Sequence, residues 1–266
     1  MKREHKEEMR ARARNIALEI AYDGTAYCGF QRQRPPIYAV QNVLEEMLGR
    51  VFGDTIELAA AGRTDTGVHA LGQVVNFFTD GRIPTERIAR AVNSLLPSDI
   101  AVRRAAEVGR DFSARHSARS KSYIYRIQQG ETPNPLTARY AYYERRTLDI
   151  EAMQAALGAI LGRHDFSSFR ASGGASMSPV RTMFEARIEK KVDAIIECRI
   201  HGDGFLYHMV RNIVGTLLHV GLGNITPEDF ATILAAKSRS RASATAPACG
   251  LCLERVWYDR EIWQAV

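Results

Sequence analysis

The chain has 266 residues, and its 36 Lys and Arg against 30 Asp and Glu leave a formal net charge of +6. Apolar residues make up 45% and charged residues 25%, a balance that excludes a disordered, collagen-like or coiled-coil chain and allows one to two domains. A positive excess of this size permits a nucleic-acid partner without requiring one.

Residues 1–14 carry Lys2, Arg3, Lys6, Arg10, Arg12 and Arg14 against Glu4, Glu7 and Glu8, which is half of the whole excess. No apolar run follows to make a secretory signal, and the glutamates speak against a transit peptide, so this stretch is expected to be a basic, solvated tail. Asn15 to Tyr22 alternates as a strand and ends on the turn pair Asp23-Gly24. Val40, Val43, Leu44, Met47 and Leu48 recur at helical spacing. Ile56 to Ala61 and Gln73 to Phe78 read as strands around a loop at residues 62–71. A second helix is expected after Pro84, with Ile88, Val92, Leu95 and Leu96 on one face, and Ile100 to Arg104 reads as a short strand. The order is β-α-β-β-α-β, a ferredoxin-like unit.

The pattern recurs. Ser122 to Gln128 alternates as a strand, and Asp149 is an N-cap for a helix carrying Met153, Leu157, Ile160 and Leu161. Met183 to Lys190 and Ala194 to His201 read as strands, followed by an apolar helix from Tyr207 to Val220. Thr226-Pro227-Glu228-Asp229 is a helix start, and Leu251 to Tyr258 is a closing strand. The expected fold class is therefore α+β, in two similar halves at residues 15–111 and 112–266 behind the 1–14 tail.

The most apolar run, Phe205 to Leu222, contains His208, Arg211, Asn212 and His219, so it does not read as a membrane span. With no signal or membrane segment, a cytoplasmic location is expected. Cys249 and Cys252 form C-x-x-C without a second pair to complete a zinc site, and their strand-like surroundings suit incidental thiols. Neither a metal nor a cofactor is expected.

Two glycines frame the polar loop Gly62-Arg63-Thr64-Asp65-Thr66-Gly67-Val68-His69 between apolar strands. Such a loop can approach a ligand closely, and Arg63 carries a planar donor fork suited to phosphate. By spacing alone an Asx-type turn, in which Asp65 bonds only local amides, is the favoured reading, because the string is too short to name a reaction. Three further strings stand beside it: Tyr22-Asp23-Gly24-Thr25-Ala26-Tyr27-Cys28-Gly29-Phe30-Gln31, Phe112-Ser113-Ala114-Arg115-His116-Ser117 leading to Lys121-Ser122-Tyr123-Ile124-Tyr125, and Gly204-Phe205-Leu206-Tyr207-His208-Met209-Val210-Arg211-Asn212. Together with Thr245-Ala246-Pro247-Ala248 and Gly250-Leu251 they resemble the tRNA pseudouridine synthase A family, from about residue 15 to residue 260.

The resemblance implies a pseudouridine-synthase fold, with a central antiparallel sheet and an active-site cleft between the halves. It implies an enzyme that needs no cofactor and isomerises uridine in the anticodon stem-loop of tRNA. Asp65 matches the family's essential aspartate, Tyr123 the tyrosine that stacks on the base, and Arg211 an ion-pair partner for the aspartate. It also implies a homodimer. His69 is expected to be a hydrogen-bond partner without a catalytic role, and Tyr125 to be structural. Arg115, Arg119 and Lys121 lie with Arg110 and Arg126 in a segment whose only acid is Asp111, and Arg239 and Arg241 lie with Lys237 in one without acids. Both segments fit phosphate contact. A non-catalytic RNA-binding protein on the same scaffold is the competing expectation.

Overall fold

A computed structural model describes residues 8, 11–174 and 178–263. The elements are β1 (Arg14–Tyr22), α1 (Val40–Phe52), β2 (Ala59–Ala60), β3 (His69–Thr79), α2 (Thr85–Asn93), β4 (Ile100–Val108), β5 (Ala118–Gln129), β6 (Tyr142–Glu144), α3 (Ile150–Gly158), β7 (Gly162–Asp165), β8 (Val180–Lys190), β9 (Ile195–Gly202), α4 (Met209–Gly221), α5 (Pro227–Ala235) and β10 (Leu251–Tyr258). They form two compact units, Met1–Arg119 with Leu253–Val266, and Ser120–Cys252.

In the first unit β1 lies between β4 and β3, antiparallel to both, and β2 pairs with β3. That strand order is the ferredoxin-like one the β-α-β-β-α-β reading implies, and the α+β class holds. β10 lies beside β3. The core is made by the apolar faces the spacing identified, including Ile16, Leu18, Ile20, Leu44, Leu48, Phe77, Ile88 and Val92. In the second unit β9 lies between β5 and β8, again antiparallel, with β7 on β8 and a short parallel pairing of β6 with β5. Met153, Leu157, Phe166, Ile213, Leu217 and the stacked rings of Phe169 and Phe230 fill its core. Asp149 accepts from Ala152 N as the cap of α3, and Thr226 with Asp229 forms a capping box at α5, both at the residues the sequence marks.

Several expectations are corrected. The strand expected over Ile56 to Ala61 shrinks to Ala59–Ala60, because Leu58 N donates to the Glu45 carboxylate and leaves the ladder. Leu95 and Leu161 are exposed rather than core residues, since α2 and α3 end before them at Asn93 and Gly158. Of the expected basic tail, residues 1–7, 9 and 10 lie outside the described residues, while Arg12 and Arg14 are part of the fold. Arg12 pairs with Asp54 at 2.8 Å, and Arg14 opens β1, pairs with Glu107 and donates to the Gly81 and Ile83 carbonyls.

The expected division at residue 111 also moves. Asn15 Nδ2 donates to the carbonyls of Gly109 and Phe112, and Asn76 links Asn15 Oδ1 to Ala114 N, so residues 109–114 are sewn to the first unit. Tyr258 Oη donates to Ala114 O, its ring packs on Phe112, and Asp259 pairs with Arg119. Residues 253–258 of the closing strand therefore group with the first unit, while Leu251 and Cys252 stay with the second, a grouping invisible to local pattern.

Candidate active site

The Asp65 loop belongs to the first unit and is held by backbone packing. Gln73 Nε2 donates to Gly62 O, and the buried Thr64 hydroxyl bonds the Tyr22 hydroxyl at 2.8 Å. Phe30 N donates to Thr64 O at 3.0 Å, and Val68 N closes a turn on Asp65 O at 3.1 Å. A Cβ built at Gly24 would overlap the Val68 carbonyl, and Gly29, at φ +81°, lies so close to Thr64 O that its Cβ would sit 2.8 Å away. Only glycine allows that approach and, at residue 29, that φ. The Tyr22–Gln31 string and the Asp65 loop are therefore two halves of one local structure, which is the physical reason they occur together.

His69 is buried, and its Nδ1 accepts from Gly24 N at 3.1 Å, with Asp23 Oδ1 3.2 Å away. It fastens the Tyr22–Gln31 string, a strap across the loop, to the Asp65 loop through Gly24 N. Asp65 itself is half-buried and Arg63 is exposed. A carboxylate on a loop fixed this way keeps its position while a substrate enters, which is what general-base or nucleophilic chemistry requires of it.

The second unit holds Lys121, Tyr123, Arg211, Arg239 and Arg241; Arg115 and Arg119 fall in the first. Tyr123 is 8% exposed and packs edge-on against Phe205, with ring centroids 5.0 Å apart. Tyr125, two residues along the same strand face, donates its hydroxyl to Pro247 O at 2.8 Å, and burial keeps that hydroxyl protonated by pushing its pKa up. Tyr125 is structural, as the sequence reading had it. Arg211 Nε donates to Ala246 O at 2.8 Å, and Ala246 N returns a bond to Arg211 O. The segment before Pro247 thus lies on α4, close enough that a Cβ at Gly215 would overlap Ala244 O. Cys249 is half-buried, with burial raising its thiol pKa, and Cys252 is buried; none of the four cysteines is in a disulfide.

Asn212, missed by the sequence reading, organises this region. It is fully buried, donates to Phe169 O at 2.8 Å and accepts from Thr245 Oγ1 at 2.6 Å and Arg239 Nη2 at 3.2 Å. Asn212→Ala is expected to cost about 3 kcal/mol of stability, since it strands buried partners, and urea unfolding monitored by circular dichroism measures it. An Asn inside an apolar helix is the one local signal that could have found it.

The basic segments are less positive in the fold than in the sequence. Arg119 is engaged by Asp259 and Arg126 by Glu197 at 2.8 Å, while Arg110 donates to Arg12 O. Those acids come from outside the counted window, which is why a local tally overstates the charge. Arg239 is a half-buried clamp on Ala242 O, Asn212 and Thr245, not an open phosphate contact. Arg115 and Arg241 are exposed and Lys121 is half-buried.

No helix of the described residues is long and apolar enough to cross a membrane, and no group of three His, Cys, Asp or Glu among them is arranged to hold a metal ion. The sequence model of a family described as tRNA pseudouridine synthase matches residues 19–117 and 156–259. The chain is 44% identical over 245 residues to the tRNA pseudouridine synthase A of Acetivibrio thermocellus, covering 92% of this chain and 100% of that protein. It is 45% identical to the tRNA pseudouridine synthase A of Clostridium kluyveri over the same shares. With the one from Moorella thermoacetica it shares 46% identity over 249 residues, 91% of this chain and 99% of that protein.

Proposed function

The chain belongs to the tRNA pseudouridine synthase family, and from that premise we propose that it isomerises uridine to pseudouridine on the 3′ side of the tRNA anticodon stem-loop, with Asp65 as its catalytic carboxylate. The reaction breaks the N1–C1′ bond, turns the uracil, joins C5 to C1′, and moves the C5 proton away while N1 gains one. Nothing is oxidised or reduced, so atoms and electrons balance without a cofactor.

The observation that carries the reading is the Asp65 loop, whose backbone is clamped by Gly24, Gly29, Phe30 and His69 so that one carboxylate is presented in fixed position. A base in a helix hides its glycosidic bond, so the target nucleotide must be flipped out at a cost of a few kcal/mol. Tyr123 supplies the aromatic surface against which the flipped base is held, and base–aromatic stacking is worth ~1–3 kcal/mol. Arg63, Arg115, Lys121 and Arg241 contact phosphates. Arg119 joins them by exchanging its exposed partner Asp259 for RNA, and Arg239 fixes the segment that carries Arg241. The protein works as a homodimer in the cytoplasm.

Arg211 is the second charged residue on which turnover depends. A double-mutant cycle of Asp65→Asn and Arg211→Leu reads this directly. Each single change is expected to lower kcat by two orders of magnitude or more, and the pair to cost little beyond Asp65→Asn alone. Strictly additive losses, or full turnover by Arg211→Leu, would remove Arg211 from the chemistry.

Release of tritium from tRNA labelled at uridine C5 tests the whole reading. The wild-type protein should release it stoichiometrically with pseudouridine. A protein that binds tRNA and releases none is the non-catalytic RNA-binding protein instead.

A further inference from the structure

Between the strap and α1, the chain makes an excursion at residues 31–38 that the catalytic reading does not use. Its stem is fixed. Arg32 N donates to Gln41 Oε1, Gln33 N donates to Asn42 Oδ1, and Asn42 Nδ2 returns a bond to Gln33 O at 3.1 Å. Arg32 is also held, by Glu45 at 3.1 Å and Glu57 at 3.5 Å. The tip turns at Pro35-Pro36, where Ile37 N donates to Arg34 O.

Beyond that turn the tip presents Ile37 at 47% and Tyr38 at 68% exposure. Arg34 is exposed beside them, and no ion pair is formed by it among the described residues. The tip is tied to the catalytic loop through one short stretch of backbone: Cys28 N donates to Tyr38 O at 2.9 Å, and two residues on Phe30 N donates to Thr64 O.

We propose that the Arg34–Tyr38 tip is a nucleotide-binding element, in which Tyr38 stacks on an unpaired base of the RNA substrate and Arg34 contacts the adjoining phosphate. The inference rests on the proposed function and deepens it by naming a specificity element. A large aromatic ring left in water gains nothing for the fold. Set on a fixed stem beside the exposed Arg34 guanidinium, it matches the two parts of a nucleotide, a π-face and an anion. Because the stem is already fixed, ordering it adds little to the cost of binding. The position beside the Asp65 loop places the contacted nucleotide near the target uridine, so the tip selects among loop sequences.

Steady-state kinetics on purified tRNA test this. Tyr38→Ala should raise KM about tenfold with kcat within about twofold, and Tyr38→Phe should restore wild-type KM because the ring suffices for stacking. Arg34→Ala should lower the slope of log affinity against log salt by about one. A Tyr38→Ala protein with wild-type KM would overturn the proposal. So would a fall in its melting temperature parallel to the loss of affinity, or a change of oligomeric state in light scattering with KM unchanged, which would assign the tip to a protein contact. Filter binding of the same tRNA reads the Tyr38 effect independently of turnover. If wild-type protein makes no pseudouridine yet Tyr38→Ala still weakens tRNA binding tenfold, the activity reading fails and the binding element stands.

Discussion

Asp65→Asn is expected to reduce pseudouridine formation by at least about a thousandfold while leaving the melting temperature and tRNA binding within experimental error. The substitution keeps the shape of the side chain and removes its charge and basicity, and positioned proton transfer alone is worth ~10²–10⁴ in rate. Main-chain bonds hold much of the loop's shape. Its bonds from Phe30 N to Thr64 O and from Val68 N to Asp65 O are main-chain bonds, and Thr64 is held by the Tyr22 hydroxyl. Single-turnover assays on C5-tritiated tRNA separate chemistry from binding. Turnover above a few per cent of wild type would remove Asp65 from the chemistry.

Gly24→Ala is the second large effect, and it touches no reacting group. Its added methyl would overlap the Val68 carbonyl, a main-chain atom that cannot turn aside like a flexible side chain. Either the strap or the Asp65 loop must shift. Overpacking of this kind costs ~1–3 kcal/mol, and a displacement of about 1 Å at a catalytic group can cost a hundredfold in rate. The expected result is a kcat lowered about a hundredfold, a melting temperature lowered by several degrees, and a KM for tRNA that changes less than kcat. The contrast with Asp65→Asn is diagnostic, since one variant loses chemistry without stability and the other loses both. A Gly24→Ala protein with wild-type kcat would show that the loop is positioned by something other than this approach.

The dependence on Gly24 also explains what could be read from the sequence and what could not. The strings around residues 22–31 and 61–70 were visible as unusual runs of Gly, Thr and Asp, and their joint occurrence pointed to a family. That Gly24 faces Val68 and that His69 accepts from Gly24 N are matters of register between β1 and β3, which pair Tyr22 with Ala70. The same holds for Asn212. Its polarity inside an apolar helix was plain, but its partners Phe169, Arg239 and Thr245 come from three other places in the chain.

By itself the sequence determined the elements whose signals are local. Alternation marked β1 and β5, 3.6-residue spacing marked α1, and capping residues marked α3 and α5, because period and cap chemistry act over a few neighbouring residues. The tertiary structure decided what depends on distant partners. It returned Leu253 to Val266 to the first unit through Tyr258 and Asp259, and it cut the second strand to two residues by diverting Leu58 N to Glu45. It also neutralised Arg119 and Arg126 with Asp259 and Glu197. A charge counted along the chain ignores the acids that folding brings beside it, since Coulomb attraction and hydrogen bonding follow distance in space.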